Sequence, residues 1–297
     1  MEMTVHRPSR SETRTIRGLS CHIRRWGRAD APPLVMLHGA RDSSVTHQFV
    51  VDALRGDWQV IAPDWRGHGH SGRAESYWFH DLLGDLSALM EDLFGQAAVP
   101  VVGHSLGGNV AGIYAGLRPD RVSHLISLDG FGPLVDHVPV DPLTLLRAFL
   151  DSGQPVRLGR TYPDDAAMAE RLQAANPRLS GPQARWLAEH SSAAEPDGQR
   201  RWLFAEGFRR SAPSLRNVAE WGRIWGAITA PVLWLQSEDT RPNSPVRFPD
   251  EMDRRAALVP NLKRILLNGT GHNLHHDEPA RTATLIEDFL TATGKFA

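Results

Sequence analysis

The stretch GHSLGG at residues 103–108 constrains the fold more than any other part of the sequence, because it joins two different kinds of segment. Before it stands the apolar run VPVV, which is typical of a buried strand. After it, the sequence LGGNVAGIYAGLRPD indicates a helix with small residues along one side. Gly103 and Gly107 leave space where side chains would collide with the strand and helix backbones. The sequence therefore predicts a strand, a tight turn at Ser105 and a helix.

Similar apolar runs, each followed by a glycine-containing loop, occur before this turn. They end near residues 37 and 62, and further strands are indicated by VSHLISLDG, APVLWLQSED and NLKRILLNGTGH. Apolar residues recur at helical spacing between residues 76 and 95, and the segment DEPARTATLIEDFLTATG has the pattern of a closing amphipathic helix. This alternation predicts an α/β fold with a mostly parallel sheet that helices cover on both faces.

The alternation is interrupted between residues 132 and 226, where the pattern is helical and no strand-like run is found. We predict an α/β core formed by residues 1–131 and 227–297, with residues 1–13 as a flexible arm and residues 132–226 as a helical cap. Most tryptophans of the insertion are expected inside the cap, and a few are expected to line an apolar pocket. These tryptophans are Trp186, Trp202, Trp221 and Trp225.

The composition argues against several classes of partner. The formal net charge is −1, with 41% hydrophobic and 23% charged residues, so no overall field would attract nucleic acid or an anionic membrane. A single cysteine, Cys21, rules out an intrachain disulfide. The amino terminus lacks the apolar core of a secretory signal, and no run approaches the roughly 18 apolar residues that span a bilayer. We expect a cytoplasmic protein that binds a small-molecule substrate with an apolar part, without nucleic acid, membrane or cofactor; the oligomeric state stays open.

A serine between glycines belongs either to an ordinary turn or to a nucleophile held on a bend too tight for larger neighbours. The strand–helix context of Ser105 favours the nucleophile, since the hydroxyl would project above the sheet and the helix N-terminus would face any anion formed there. A serine hydroxyl needs a base to take its proton. His272 follows the last predicted strand, so it lies at the carboxyl edge of the sheet, where Ser105 also emerges. We predict Ser105 as nucleophile and His272 as its general base.

A tetrahedral oxyanion needs two hydrogen-bond donors placed in advance. The N–H of Leu106, directly after the serine, is one expected donor. The N–H of Ala40, in the sequence LHGA after an early strand, is the other. His38 in the same loop is expected to brace it rather than to take part in catalysis.

Two further histidines, His275 and His276, follow His272 closely and raise the question of a metal site. The carboxylates beside them are ordinary residues for the start of a helix, and no framework of metal ligands is evident elsewhere in the sequence. We therefore expect no metal.

Five motifs, LHG, DWRGHGHSG, GHSLGG, LDG and GTGH, occur in the order in which the α/β-hydrolase superfamily carries its motifs, and the resemblance runs from about residue 14 to the end. It implies the α/β-hydrolase fold, with the insertion matching the variable cap. Haloalkane dehalogenases and epoxide hydrolases of this fold carry an aspartate at the nucleophile position, whereas this chain carries Ser105. The resemblance therefore implies a serine hydrolase, with a carboxylesterase expected first. Lactonase, C–C bond hydrolase, perhydrolase and lyase activities are alternatives, as is a hydrolase-derived ligand-binding protein without turnover.

The same resemblance indicates where the acid that orients His272 should lie. Asp239 follows the penultimate strand, which is the usual place and gives the order Ser…Asp…His. Asp129, in LDG after the preceding strand, matches the alternative place seen in some relatives. We expect Asp239 first, Asp129 second and Glu238 third; either aspartate would orient the imidazole and stabilise its charged form.

Overall fold

The computed structural model describes residues 5–132, 160–205, 218–239 and 248–292, together with residues 143, 147 and 150. The strands are β1 (Arg10–Ile16), β2 (Leu19–Trp26), β3 (Pro33–Leu37), β4 (Gln59–Pro63), β5 (Val99–His104), β6 (Val122–Leu128), β7 (Thr161–Tyr162), β8 (Ser192–Ala194), β9 (Arg200–Trp202), β10 (Val232–Ser237) and β11 (Leu262–Leu267). The helices are α1 (Gln48–Ala53), α2 (Phe79–Phe94), α3 (Leu106–Leu117), α4 (Asp165–Ala175), α5 (Gly181–His190), α6 (Val218–Trp225), α7 (Pro249–Ala256), α8 (Leu274–Asp277) and α9 (Pro279–Ala292).

Eight strands form one sheet in the order β1-β2-β4-β3-β5-β6-β10-β11. Strands β1 and β2 pair antiparallel with each other, β2 pairs antiparallel with β4, and the six strands from β4 to β11 are parallel. The predicted α/β fold with a mostly parallel sheet is therefore confirmed. Because β5 lies between β3 and β6, the residue that follows β5 stands at the middle of the carboxyl edge.

Strands β1 and β2 form a hairpin that includes part of the expected flexible arm. Arg17 and Gly18 have φ values of 48° and 80°, which is the backbone of a two-residue turn whose twist suits the adjoining strands. Strand β1 starts at Arg10, and the backbone N–H of Arg7 donates to a carboxylate oxygen of Asp52 at 2.8 Å. Residues 10–13 of the expected flexible arm thus belong to β1, where strand pairing satisfies their backbone.

Helix α3 packs unusually close to the sheet because its small residues leave no side chains in between. A Cβ at Gly107 would overlap the carbonyl oxygen of Leu37 at the end of β3, and one at Gly116 would overlap that of Ile224 in α6. Every residue of β5 and β6 is buried, so both faces of these strands are covered. The start of α3 is therefore held tightly against the carboxyl edge of the sheet.

Residues 160–205, the longest described stretch of the predicted insertion, are not purely helical. They contain α4, α5 and a small sheet in the order β7-β9-β8. These strands have two or three residues each, which is too short for a period-two pattern to be recognisable in the sequence. Met168 and Leu187 of the insertion pack with Val45 and Phe49 of the core, so the insertion sits over this edge of the sheet.

Two of the four tryptophans assigned to the insertion lie in the α/β core and not in the cap. Trp221 and Trp225, on α6, belong to the same apolar cluster as Phe79 and Trp234. The chain has thus returned to the core by Val218, earlier than the predicted boundary at residue 226. Most of the predicted cap in residues 133–159, and all of 206–217, lies outside the described residues. None of the described helices is both long and apolar enough to cross a membrane.

Candidate active site

Ser105 occupies the sharp turn between β5 and α3. Its φ and ψ are 51° and −112°, a conformation that few residues other than glycine adopt and that concentrates at functional sites. A Cβ at Gly103 would come within 2.5 Å of the backbone of Gly107, so the turn closes only with glycine at these positions. The N–H of Ser105 donates to the carbonyl of Leu128 at 2.9 Å and ties the turn to β6. The predicted strand–turn–helix geometry is present.

His272 lies between β11 and α8 and faces Ser105. Its Nε2 is 2.9 Å from Oγ of Ser105, and its Nδ1 is 2.6 Å from Oδ2 of Asp129. The loop before it is held by Gly271, whose N–H donates to Oδ2 of Asp277 at 2.7 Å. Ser105, His272 and Asp129 therefore form a continuous hydrogen-bonded triad.

Asp129 directly follows β6 and is buried. Its φ is 53°, so Asp129 is the second residue at this edge of the sheet, after Ser105, with a left-handed backbone conformation. While Oδ2 faces His272, Oδ1 accepts the N–H of Ser237 at 3.1 Å, and the N–H of Asp129 donates to the carbonyl of Leu235 at 2.9 Å. Both carboxylate oxygens thus have defined partners, which fixes the direction of the carboxylate.

Asp239, which the sequence analysis expected first as the acid, does not contact His272. Its side chain is 61% exposed, and Oδ2 lies 3.2 Å from the guanidinium of Arg178. Glu238, the third candidate, accepts the N–H of Gly269 at 2.6 Å, and Nδ1 of His272 is bonded to Asp129. The prediction that Asp239 holds Nδ1 of His272 is wrong, because the chain turns outward after β10 and points this carboxylate toward solvent. Asp129, the second candidate, takes that place.

The two expected oxyanion donors lie beside Ser105. Ala40 and Ser105 line the same cavity, and a Cβ at Gly39 would stand 3.4 Å from Cβ of Ser105. Leu106 is the first residue of α3, so its N–H belongs to the free donors at the positive end of the helix. Within the described chain, neither N–H bonds to another backbone carbonyl. Their role toward a substrate oxyanion stays a prediction.

A cavity of about 330 Å³ opens between the insertion and the triad. Its lining includes the apolar side chains of Leu172, Leu187 and Trp202, and it also includes the arginines Arg41 and Arg171. In the part of the chain that the structure describes, neither guanidinium has an ion pair. The sequence carried no signal for Arg171, because nothing in its helical pattern says which face meets the cavity.

Comparison with known proteins agrees with this geometry. The sequence matches the family model described as "alpha/beta hydrolase fold" over residues 32–279. The chain belongs to the α/β-hydrolase family. It is 30% identical over 278 residues to a serine hydrolase-like protein of Danio rerio, with 89% of this chain and 83% of that protein covered.

Two further likenesses extend over almost the whole α/β-hydrolase chain. A 2-(acetamidomethylene)succinate hydrolase of Mesorhizobium japonicum is 24% identical over 275 residues, with 92% of each chain covered. The solved thioesterase domain from the curacin biosynthetic pathway superposes with a TM-score of 0.85 at 24% identity, covering 95% of this chain and 99% of that one. The structural likeness shows a shared fold.

His38 braces the α/β-hydrolase core beneath the cavity, as its position in LHGA suggested. Its Nε2 accepts the N–H of Trp65 at 3.0 Å, so Nδ1 carries the proton and donates to the carbonyl of Gly39 at 2.8 Å. His68 accepts the N–H of Arg41 at 3.2 Å in the same way. Burial lowers the pKa of His38, and it lowers the pKa of His68 to about 3, so both rings are neutral at pH 7. These histidines hold the loop that carries Ala40.

The histidines near the triad are arranged differently from what their spacing suggested. His276 makes a hydrogen bond of 2.6 Å with Oγ1 of Thr46. His275 instead comes together with His104 and Asp42, whose possible ligand atoms all lie within 4.8 Å of one another. Burial raises the pKa of Asp42 to about 6 and lowers the pKa values of His104 and His275 well below the usual range. The sequence spacing of His275 and His276 could not reveal this cluster, because its members come from three separate segments.

Proposed function

We propose that this α/β-hydrolase is a serine hydrolase that cleaves carboxylic esters through an acyl-enzyme. The observation that carries the proposal is the continuous hydrogen-bonded line from Ser105 through His272 to Asp129 at the wall of a cavity. A nucleophile, a base within hydrogen-bond reach and a third group that orients the base are the parts required for acyl transfer.

In the first half of the reaction, Oγ of Ser105 attacks the ester carbonyl carbon while Nε2 of His272 takes its proton. The negative charge moves to the carbonyl oxygen, where the N–H groups of Ala40 and Leu106 accommodate it. Collapse of this intermediate breaks the C–O bond to the alcohol, and His272 gives its proton to the departing oxygen. The acyl group remains on Ser105.

In the second half, water attacks the acyl carbon and His272 again takes the proton. The bond to Oγ breaks, the proton returns to Ser105, and the carboxylic acid leaves. Asp129 holds Nδ1–H throughout and stabilises the imidazolium that forms twice in each cycle. The carboxylate of Asp129 is buried and accepts a hydrogen bond from the N–H of Ser237, and this fixed position supports the orienting role.

A specific observation favours substrates that carry a carboxylate. Arg41 and Arg171 line the cavity without an ion pair in the described chain, and a guanidinium is well suited to binding a carboxylate. The hydrolase of Mesorhizobium japonicum is named for a succinate derivative. We therefore propose, as a second candidate, an ester or amide whose acyl part bears an additional carboxylate, with its apolar part against Leu172 and Leu187.

Labelling with a fluorophosphonate tests the nucleophile. Mass spectrometry should place the adduct on Ser105 in active protein, and Ser105→Ala should stay unlabelled. An adduct on another serine, or an active protein that never labels, contradicts the proposal. Lack of any turnover on activated esters would favour a ligand-binding protein.

A matched substrate panel tests the substrate class. It should contain esters of equal length with and without a terminal carboxylate, together with lactones and diketones for the alternative activities. Arg171→Gln should raise KM for the carboxylate-bearing esters alone. Arg223→Gln, a change at an exposed arginine on α6 away from the cavity, is the control. If Arg171→Gln changes KM equally for both ester series, the proposed preference for a carboxylate is wrong. The proposed esterase chemistry is not affected by that result.

A further inference from the structure

We infer that Asp42, His104 and His275 form a binding site for one divalent transition-metal ion of the Zn²⁺ type, next to the triad. The three side chains offer one carboxylate oxygen and two imidazole nitrogens within 4.8 Å of one another. They come from the loop after β3, the end of β5 and helix α8. Two imidazoles and a carboxylate are an established ligand set for Zn²⁺ and related ions.

The first argument is an unpartnered lone pair on His104. This side chain is 2% exposed, and its Nε2 lies 2.9 Å from the carbonyl oxygen of His272. A carbonyl only accepts hydrogen bonds, so Nε2 carries the proton of the neutral ring and Nδ1 is a lone-pair acceptor. Nδ1 is buried and has no hydrogen-bond partner. A buried polar atom of this kind is rare in proteins because leaving it unpaired is costly.

His275 also has a buried ring nitrogen without a hydrogen-bond partner. It is fully buried, its Nε2 is 2.9 Å from Oγ1 of Thr46, and its Nδ1 is again buried without a partner. The rings of His104 and His275 are 4.3 Å apart between centroids. In each ring, therefore, one nitrogen is anchored by a polar group and the other is left free within the same small region.

This pattern of anchoring is the one that metal-binding histidines show. The nitrogen that does not bind the ion is generally hydrogen-bonded to a carbonyl, carboxylate or water, which fixes the ring and its tautomer. Here the carbonyl of His272 and the hydroxyl of Thr46 occupy those places. The groups that would orient the ligands are thus already present.

The cluster also has room and an entrance. A Cβ at Gly39 would lie 2.7 Å from Nδ1 of His104, so the absence of a side chain there keeps the space beside this nitrogen open. Asp42 and His104 line the cavity of about 330 Å³, through which an ion can reach the site. Metal–ligand distances of about 2.0–2.2 Å require the three atoms to draw together from their present separations, with water completing the coordination.

Direct binding to metal-free protein tests the inference. After treatment with a chelator and its removal, the full chain is titrated with Zn²⁺ by calorimetry and with Co²⁺ by visible absorption. We expect saturation at one ion per chain and Co²⁺ bands typical of low coordination number. Ser105→Ala and His272→Ala should retain metal binding, since His104 is anchored by the backbone carbonyl of residue 272, which both variants keep. Metal binding is measured without a substrate, so these results do not depend on whether the protein hydrolyses esters.

Two variants locate the ion. Asp42→Asn and His275→Gln should each weaken binding by roughly tenfold or more. His80→Gln, a change at an exposed histidine on α2, should leave the dissociation constant unchanged. Because His275 is fully buried, thermal unfolding must show that His275→Gln folds, and Asp42→Asn supplies an independent measurement if it does not.

Two outcomes would contradict the inference. Absence of saturable binding would mean that only water satisfies the two nitrogens, and loss of binding in His272→Ala alone would place the ion on the triad. Either result overturns the inference.

Discussion

Oδ2 of Asp129 lies 2.6 Å from Nδ1 of His272, although the two residues are 143 positions apart in the sequence. The contact is possible because β6, which ends just before Asp129, is the immediate neighbour of β5, which ends just before Ser105. The acid and the nucleophile therefore emerge side by side at one edge. His272 reaches both from the loop after β11.

Replacing the acid tests this relationship. Asp129→Asn should lower kcat by about 10⁴-fold, because the amide no longer holds Nδ1–H and the imidazole loses its orientation. Its melting temperature should change little by comparison, since the amide oxygen can still accept the N–H of Ser237. Asp239→Asn is the matched control and should keep nearly full turnover, as its side chain is 61% exposed. The reverse ranking in a steady-state ester assay would return the role to Asp239.

The close approach of α3 to the sheet leads to a second prediction, which concerns stability. Gly107→Ala should destabilise the protein by about 3 kcal/mol or more, because the new Cβ meets the backbone carbonyl of Leu37, which cannot move aside as a flexible side chain could. Gly181→Ala is the control, as a Cβ there would meet nothing nearer than 3.6 Å. Urea denaturation measures both. Equal stability of the two variants would show that α3 can shift away from β3.

Stability should fall below pH 6.5 in part because His68 is buried as a neutral ring. Its folded pKa of about 3 is lower than that of the unfolded chain, so the unfolded state takes up a proton first as the pH drops. Between pH 6.5 and 4.5 this single group should cost about 2 kcal/mol. His68→Gln should therefore lose about that much less stability than the parent over the same interval. Urea titrations at both pH values check the difference; parallel losses in parent and variant would contradict it.

Glu287 on α9 joins this helix to the loop after α1. Its buried carboxylate accepts the N–H groups of Arg55 and Gly56, at 3.0 and 2.7 Å, and the indole N–H of Trp58 at 3.0 Å. Glu287→Ala should cost about 3 kcal/mol, because these donors lose their acceptor. Asp288→Ala removes an exposed ion pair with Arg55 and should cost about 0.5 kcal/mol or less. Thermal and urea unfolding distinguish the two, and equal losses would show that Glu287 contributes no more than a surface pair.

Features that depend on local chemistry could be predicted from the sequence. The turn at Ser105 is one, because glycines at 103 and 107 and the change from a strand to a helix pattern all lie within a few residues. The parallel sheet and the carboxyl-edge position of His272 also follow from the alternation of strands and helices, since parallel strands end at one edge. These patterns were confirmed because short-range sterics and burial act directly on neighbouring residues.

The remaining features depend on where distant segments meet. Whether Asp129 or Asp239 holds His272 depends on which way each chain turns after its strand, and both are aspartates after predicted strands. Trp221 and Trp225 carry the same apolar character as Trp202, yet only packing decides that the first two join the core while the third lines the cavity. The sequence by itself determined the turn, the mostly parallel α/β fold and the identity of the nucleophile and base candidates. Only the tertiary structure decided the acid partner and the Asp42–His104–His275 cluster, because these depend on side-chain direction and on contacts between residues far apart in the chain.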